Sequence, residues 1–156
     1  MGRMKTVEAW HWLREDRCLN YPPHTKVEVG VTLNGATPRI CASGFHASVL
    51  AADAVRYAPG GRDLWICRVA VGGPFDQQDD KFCGASRTVL WMAPARATLI
   101  GWAVWCARAA LLGRIFAGGK VDPRRWNALD VTEEYLRGTM PIERVREART
   151  AADAYA

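Results

Sequence analysis

The sequence predicts an α+β fold: a small mixed, mainly antiparallel sheet with one crossing helix over residues 1–93, and a three-helix C-terminal part packed on it over residues 94–156. Three observations predict it. Up to Met92 the apolar residues alternate with polar ones or cluster in short runs cut by Gly and Pro, whereas beyond Pro94 they recur at helical spacing. The chain of 156 residues is 49% apolar and 24% charged, enough to bury a core.

Val7 to Leu13 and Lys26 to Leu33 carry the period-two pattern of half-buried strands, separated by Tyr21-Pro-Pro-His24. Asn34-Gly35 is a tight-turn signal. It predicts a hairpin between Lys26–Leu33 and Arg39–Ala42, its loop lengthened by Ala36-Thr-Pro38. Ser48 is placed to cap a short helix through Leu50, Ala51, Ala54 and Val55 to Tyr57, stopped by Pro59-Gly-Gly61. Leu64 to Val71 reads as a strongly apolar strand ended by Gly72-Gly-Pro74, and an acidic loop from Asp76 to Lys81 leads to a last strand, Arg87 to Met92. A largely buried helix is expected over residues 95–116, broken at Gly118-Gly119. Asp122-Pro123 then caps a helix that Gly138 closes, and a third helix follows Met140-Pro141 with Glu143, Arg146, Glu147 and Arg149 on a wet, ion-paired face.

The net charge of +5 is spread thinly, with 11 Lys and Arg against 9 Asp and Glu in residues 1–93 and 10 against 7 beyond. An even excess of this kind favours an acidic partner without naming one. Non-specific nucleic-acid binding through the C-terminal arginines is one form of it, and no helix-turn-helix or aromatic RNA-binding pattern supports sequence-specific reading. Five cysteines with no C-x-x-C pair fit neither a zinc site nor a disulfide framework, so reduced cysteines in a cytoplasm are expected, Cys41, Cys67 and Cys106 as small buried hydrophobes. No apolar segment follows Met1-Gly-Arg-Met-Lys5, so secretion has no support. Thr98 to Phe116 nearly reaches membrane-spanning length, but Arg108 at its centre makes a core helix the better expectation. Its apolar residues occupy most of the circumference, so the other helices or a second subunit must cover them, and a homodimer is an open expectation.

Two histidines attract attention. His46 follows a flexible glycine and titrates near neutrality, which suits a base, a ligand or a hydrogen-bonding anchor; packed beside Phe45 and bonded to a carbonyl, it would be structural. His11 sits between Trp10 and Trp12 on the opposite strand face, and core tryptophans with an exposed histidine account for it.

The run Cys41-Ala-Ser-Gly-Phe-His-Ala-Ser48, the helix to Tyr57, the strand Leu64 to Val71, Asp79-Asp-Lys-Phe82 and Ser86-Arg-Thr-Val-Leu90 together resemble a small domain family of phages and prophages with a C-x-x-G-F-H-A motif. The likeness spans roughly residues 7–92. That family carries no established activity, so the resemblance implies phage origin rather than a mechanism.

A glycine-aromatic strand followed by a helix bearing a tyrosine is also similar to the nicotinamide-cradling segment of ADP-ribosyltransferases. That resemblance implies NAD as cofactor, with Gly44, His46, Ser48 and Tyr57 lining its pocket and His11 as the early-strand histidine that holds the ribose. Such enzymes usually place a glutamate on a late strand. After Glu28 the sheet region offers only aspartates 53, 63, 76, 79 and 80, so Asp79 and Asp80 would take that role. The role expected first is different: a non-enzymatic, phage-encoded accessory protein in the cytoplasm of an infected bacterium, binding and inhibiting a host or defence complex in the manner of an anti-CRISPR protein. Seven tryptophans and many arginines suit interface anchors, with Arg124, Arg125, Trp126 and Tyr135 as the candidates.

Overall fold

The computed structural model describes residues 5–154 except 36 and 62. The expectations resting on residues 1–4 and on Ala36 lie outside the described residues. The chain forms two compact units, residues 1–96 and 97–156.

The first unit runs β1 (Thr6–Leu13), β2 (Thr32–Asn34), β3 (Phe45–Ala47), α1 (Ala51–Val55), β4 (Trp65–Gln77) and β5 (Phe82–Pro94). Its frame is the long antiparallel β4–β5 pair. The acidic loop between them contracts to a turn closed by Gln78 N–H donating to the Lys81 carbonyl at 2.8 Å. Gly72-Gly-Pro74 does not end the strand; the register shifts there and β4 continues to Gln77. A second shift leaves Leu90 as an extra residue in β5, since Val69 faces Val89 while Arg68 faces Trp91.

β1 lies along β4 in antiparallel register, while β2 and β3 both lie on the far edge of β5. The expected Lys26–Ala42 hairpin is therefore not formed. Residues 39–42 instead make a tight turn in which Arg39 N–H bonds to the Ser43 carbonyl, and Thr32–Asn34 pairs with Ser86–Thr88. Just past β3, Ser48 exchanges backbone hydrogen bonds with Trp10 of β1 at 2.8 and 3.0 Å. That bridge links β3 to β1, so the strands β1, β4, β5 and β3 follow one another around a ring.

The core is the inner side of this ring: Ala9, Leu13, Val27, Ala47, Cys67, Val69, Val71, Phe82 and Val89. Alternation along β1 sets His11 on that same side, between Ala9 and Leu13 and opposite Cys67. The expected arrangement is thus reversed for His11 and Trp10. The histidine faces inward, and Trp10 lies on the outer face, edge-on to Trp91 at 5.8 Å with the Arg68 guanidinium 5.0 Å from its ring. Trp12 is buried as expected.

The second unit holds most of α2 (Arg96–Phe116), with α3 (Pro123–Leu136) and α4 (Ile142–Asp153). Asp122 caps α3 by accepting from Arg124 N–H at 2.9 Å, and Gly138, with φ +78°, ends it with Gly138 N–H on the Tyr135 carbonyl. Arg108 of α2 reaches Glu133 at 2.8 Å and Asp130 at 2.5 Å on α3. The helix α4 carries a wet, ion-paired face in which Glu143 pairs with Arg146, whereas Glu147 pairs with Arg144 and Arg149 with Asp153. Contrary to expectation α2 is not a buried helix: Val104 is its one buried residue among those described, and Cys106 is exposed. By length and composition alone, α2 is long and apolar enough to cross a bilayer.

Candidate functional site

The Gly44–Ser48 segment is shaped by its glycine. Gly44 has φ +99°, a region that strains side-chain-bearing residues, and a Cβ there would meet the Pro38 Cα at 3.1 Å and the Cys83 Cβ at 3.2 Å. The turn lets the chain double back so that Cys41 N–H donates to His46 Nε2 at 3.2 Å while His46 Nδ1 lies 3.2 Å from the Gly44 carbonyl. A ring that accepts at Nε2 and donates at Nδ1 is neutral. Burial, and after it the charges of Lys81 and Arg87, keep the His46 pKa below the usual histidine value against the raising pull of the Gly44 carbonyl.

Behind it stands a second neutral imidazole. His11 is held well below the usual histidine range by burial first, then by the charges of Arg87 and His46, while its bond to the His46 carbonyl pulls the other way. Arg87 donates to the same carbonyl at 3.0 Å, and its guanidinium lies 5.5 Å from the Phe45 ring. Arg87 is buried at 3% exposure, makes no ion pair among the described residues, and leaves its Nε without a partner; burial pulls its pKa down to about 10. Burial likewise pushes the Cys67 thiol up to about 12, so this interior is neutral except for one arginine. The His46 carbonyl is the tie that joins β3 to β1 and β5.

Toward solvent, Tyr57 follows α1 and donates its hydroxyl to Asp80 Oδ2 at 2.6 Å. That bond raises the tyrosine and, with the charges of Lys81 and Arg56, lowers the aspartate. The Lys81 ammonium lies 4.3 Å from the centre of the Tyr57 ring and 3.3 Å from the Cys41 sulfur. An inner cleft of about 30 Å³, the share of one water, is lined by Trp10, His11, His46, Ala47, Ser48, Ala54, Tyr57 and Lys81. An outer pocket of about 330 Å³, bounded by Leu50, Asp53, Gln77, Asp79, Asp80 and Phe82, shares Lys81 with it.

Of the residues singled out from the sequence, His11, His46, Ser48 and Tyr57 line the inner cleft and Asp79 and Asp80 the outer pocket, while Gly44 shapes the turn behind them. Ser48 does not cap α1; it is buried at 1% exposure and forms the backbone bridge to Trp10, and Leu50 takes the cap position. Cys41, expected in a buried strand, is exposed in the turn. Arg124, Arg125, Trp126 and Tyr135 lie on α3, all half-buried, with Arg124 paired to Asp122 and Trp126 beneath the Arg108 guanidinium at 5.9 Å. Sequence reading missed Lys81 and Arg87. For Arg87 a signal exists, because it falls in phase with Val89 on the inward side of β5.

No protein-family model, curated protein or solved structure matches this chain. What the residues offer is a narrow cleft with two neutral imidazoles, an aromatic face covered by a cation, and a carboxylate held ionised beside it. Among the described residues no cluster of His, Cys, Asp and Glu is built to hold a metal.

Proposed function

We propose that the first unit binds NAD and transfers its ADP-ribose to an acceptor. The observation that carries this reading is the convergence of His11 from β1, His46 and Ser48 from the β3 segment and Tyr57 from the end of α1 on one cleft, with Asp80 bonded to the tyrosine. The cleft itself is too small for a nicotinamide ring, so binding requires the Lys81 side chain to swing out and open it to the outer pocket of about 330 Å³. In this reading a cationic nicotinamide ring takes the place of the Lys81 ammonium on the face of Tyr57. Such a contact is worth about 0.5–1 kcal/mol at an exposed site, so a ligand with more to offer displaces it. His11, whose one N–H is held by the His46 carbonyl, accepts from a ribose hydroxyl at its other ring nitrogen. The bond between the anomeric carbon and the nicotinamide nitrogen breaks, neutral nicotinamide leaves with the bonding electrons, and the Asp80 carboxylate stabilises the positive charge left on the sugar. The acceptor's nucleophile then bonds to that carbon and releases its proton. Asp79 and Asp53 are the other acidic groups lining the outer pocket.

Calorimetric titration with NAD at low salt tests the reading. Saturable binding is expected in the natural chain and absent in Tyr57→Ala, while Asp80→Asn retains binding and loses release of nicotinamide. A folded protein that takes up no NAD at millimolar concentration would overturn it.

A second reading keeps the expectation of a phage accessory protein that inhibits a host or defence complex by binding alone. The outer sheet face favours it, since Trp91, 43% exposed, stands with Trp10 and Arg68 in one cluster, and Trp and Arg are the residues that anchor interfaces. This reading requires stoichiometric inhibition that is indifferent to NAD and lost in Trp91→Ala.

A further inference from the structure

The face that α2 turns to solvent is regular. Thr98, Trp102, Trp105, Ala109, Leu112 and Phe116 follow one another at intervals of four, three, four, three and four residues, and all six are exposed, Trp105 at 67% and Phe116 at 87%. An alternation of three and four is the 3.5-residue repeat of a helix that packs against another helix along its length. The side of α2 next to the seam is already occupied. Val104 is buried, a Cβ on Gly101 would touch Leu136 at 3.7 Å, and Arg108 is paired with Asp130 and Glu133 of α3.

We propose that this seam pairs with the same seam of a second copy of the chain. Charge argues for self-pairing. The positions flanking the seam are Leu99, Cys106 and Gly113 on one side and Gly101, Arg108 and Ile115 on the other, and the one charge among them is neutralised within its own unit. Nothing there repels an identical helix, and nothing selects a foreign one by opposite charge. Nor does the face carry the lysine and arginine border of a helix lying on anionic lipid. Area agrees. With aromatic side chains burying roughly 150–250 Å² each, Trp102, Trp105, Phe116 and Leu112 still expose on the order of 500 Å² per copy, so a pair covers about 1,000 Å², where specific interfaces begin. The pairing is isologous, each seam contacting its twin across a two-fold axis.

Light scattering on the full chain tests this, with two substitutions to glutamate chosen for position. Ala109 lies at the middle of the seam and Ala103 off it, both are exposed small residues, and neither change removes packing. The expected result is a mass twice the 17.3 kDa of the chain in the natural protein and in Ala103→Glu, and the single mass in Ala109→Glu at the same micromolar concentration, with unchanged helical circular dichroism in all three. A monomeric natural protein would overturn the proposal, as would an Ala109→Glu variant that remains dimeric. Flotation of the natural protein with phosphatidylcholine–phosphatidylserine vesicles, abolished by Ala109→Glu, would assign the seam to lipid instead.

Discussion

Replacing Gly44 by alanine probes the turn on which the cleft is built. Two costs meet at that position. With φ at +99° the new Cβ strains the backbone, by about 1–2 kcal/mol in the left-handed region. It also arrives 3.1 Å from the Pro38 Cα and 3.2 and 3.3 Å from the Cβ and Sγ of fully buried Cys83, neither of them a flexible tip that can swing aside; overpacking of this kind costs about 1–3 kcal/mol. Alanine recovers about 0.4–1 kcal/mol by restricting the unfolded chain, leaving a net loss of about 2–4 kcal/mol for Gly44→Ala. Gly35 supplies the control, because it shares φ +99° yet has nothing within 4 Å of its Cβ position. There the strain stands alone, and the loss falls to about 1 kcal/mol or less. The assay is urea unfolding followed by tryptophan fluorescence, with amide exchange along β3 and β5 reporting the first unit directly. With an m-value of about 1–3 kcal/mol per molar, the midpoint of Gly44→Ala falls below that of Gly35→Ala by roughly 1 M. Equal midpoints would refute the reasoning, because strain would then be the whole cost.

Acidification should weaken the first unit between the usual histidine pKa and the lower folded values of His11 and His46. Both histidines bind their protons more readily unfolded, so stability rises with pH through that window, by up to about 1.4 kcal/mol per pH unit for each histidine. Urea midpoints at a series of pH values check this, and His11→Asn should flatten the slope. Cys41 and Cys106, both exposed, should react quickly with a disulfide reagent at pH 8, whereas Cys67 and Cys83, buried and with raised pKa values, react only on unfolding; mass mapping of the labelled peptides decides it. Tyr57→Phe removes the hydrogen bond that does most to hold Asp80 down, so the Asp80 carboxyl, followed by NMR titration, should move up toward the ordinary carboxylate range.

The helices and the strands β1, β4 and β5 are legible in the sequence because punctuation is local: Pro59-Gly-Gly61, Gly118-Gly119, Asp122-Pro123 and Gly138 each act within a few residues. The two short strands are not, since Lys26–Leu33 is a strand only from Thr32 and the third strand is Phe45–Ala47 rather than Arg39–Ala42. Pairing is not local. Asn34-Gly35 is a genuine turn signal, yet β2 and β3 find better edges on β5 than on each other, and nothing within residues 26–42 records that competition. Along β1 both faces carry aromatic or apolar residues, so alternation alone leaves open which one faces inward, and the placement of His11 follows from the strands that enclose it. The gathering of His11, Ser48 and Tyr57 is visible only through resemblance, since they lie on three separate segments. Lys81 reaches Tyr57 because the β4–β5 turn is tighter than its acidic composition implies.

The β4–β5 pair has a consequence for how the chain comes into being. β1 takes its ladder partners from β4, and β2 and β3 take theirs from β5, so three strands synthesised early depend on two synthesised later. A nascent chain halted before Phe82 can form the β1–β4 ladder and the Trp10–Ser48 bridge, but β2 and β3 lack their ladder partner and the ring stays open. One halted after Pro94 has the entire sheet. The turn at Gln78–Lys81 that shapes the cleft is thus also the point in translation after which the ring can close, and a pause there would leave the β2 and β3 segments exposed to chaperones and proteases.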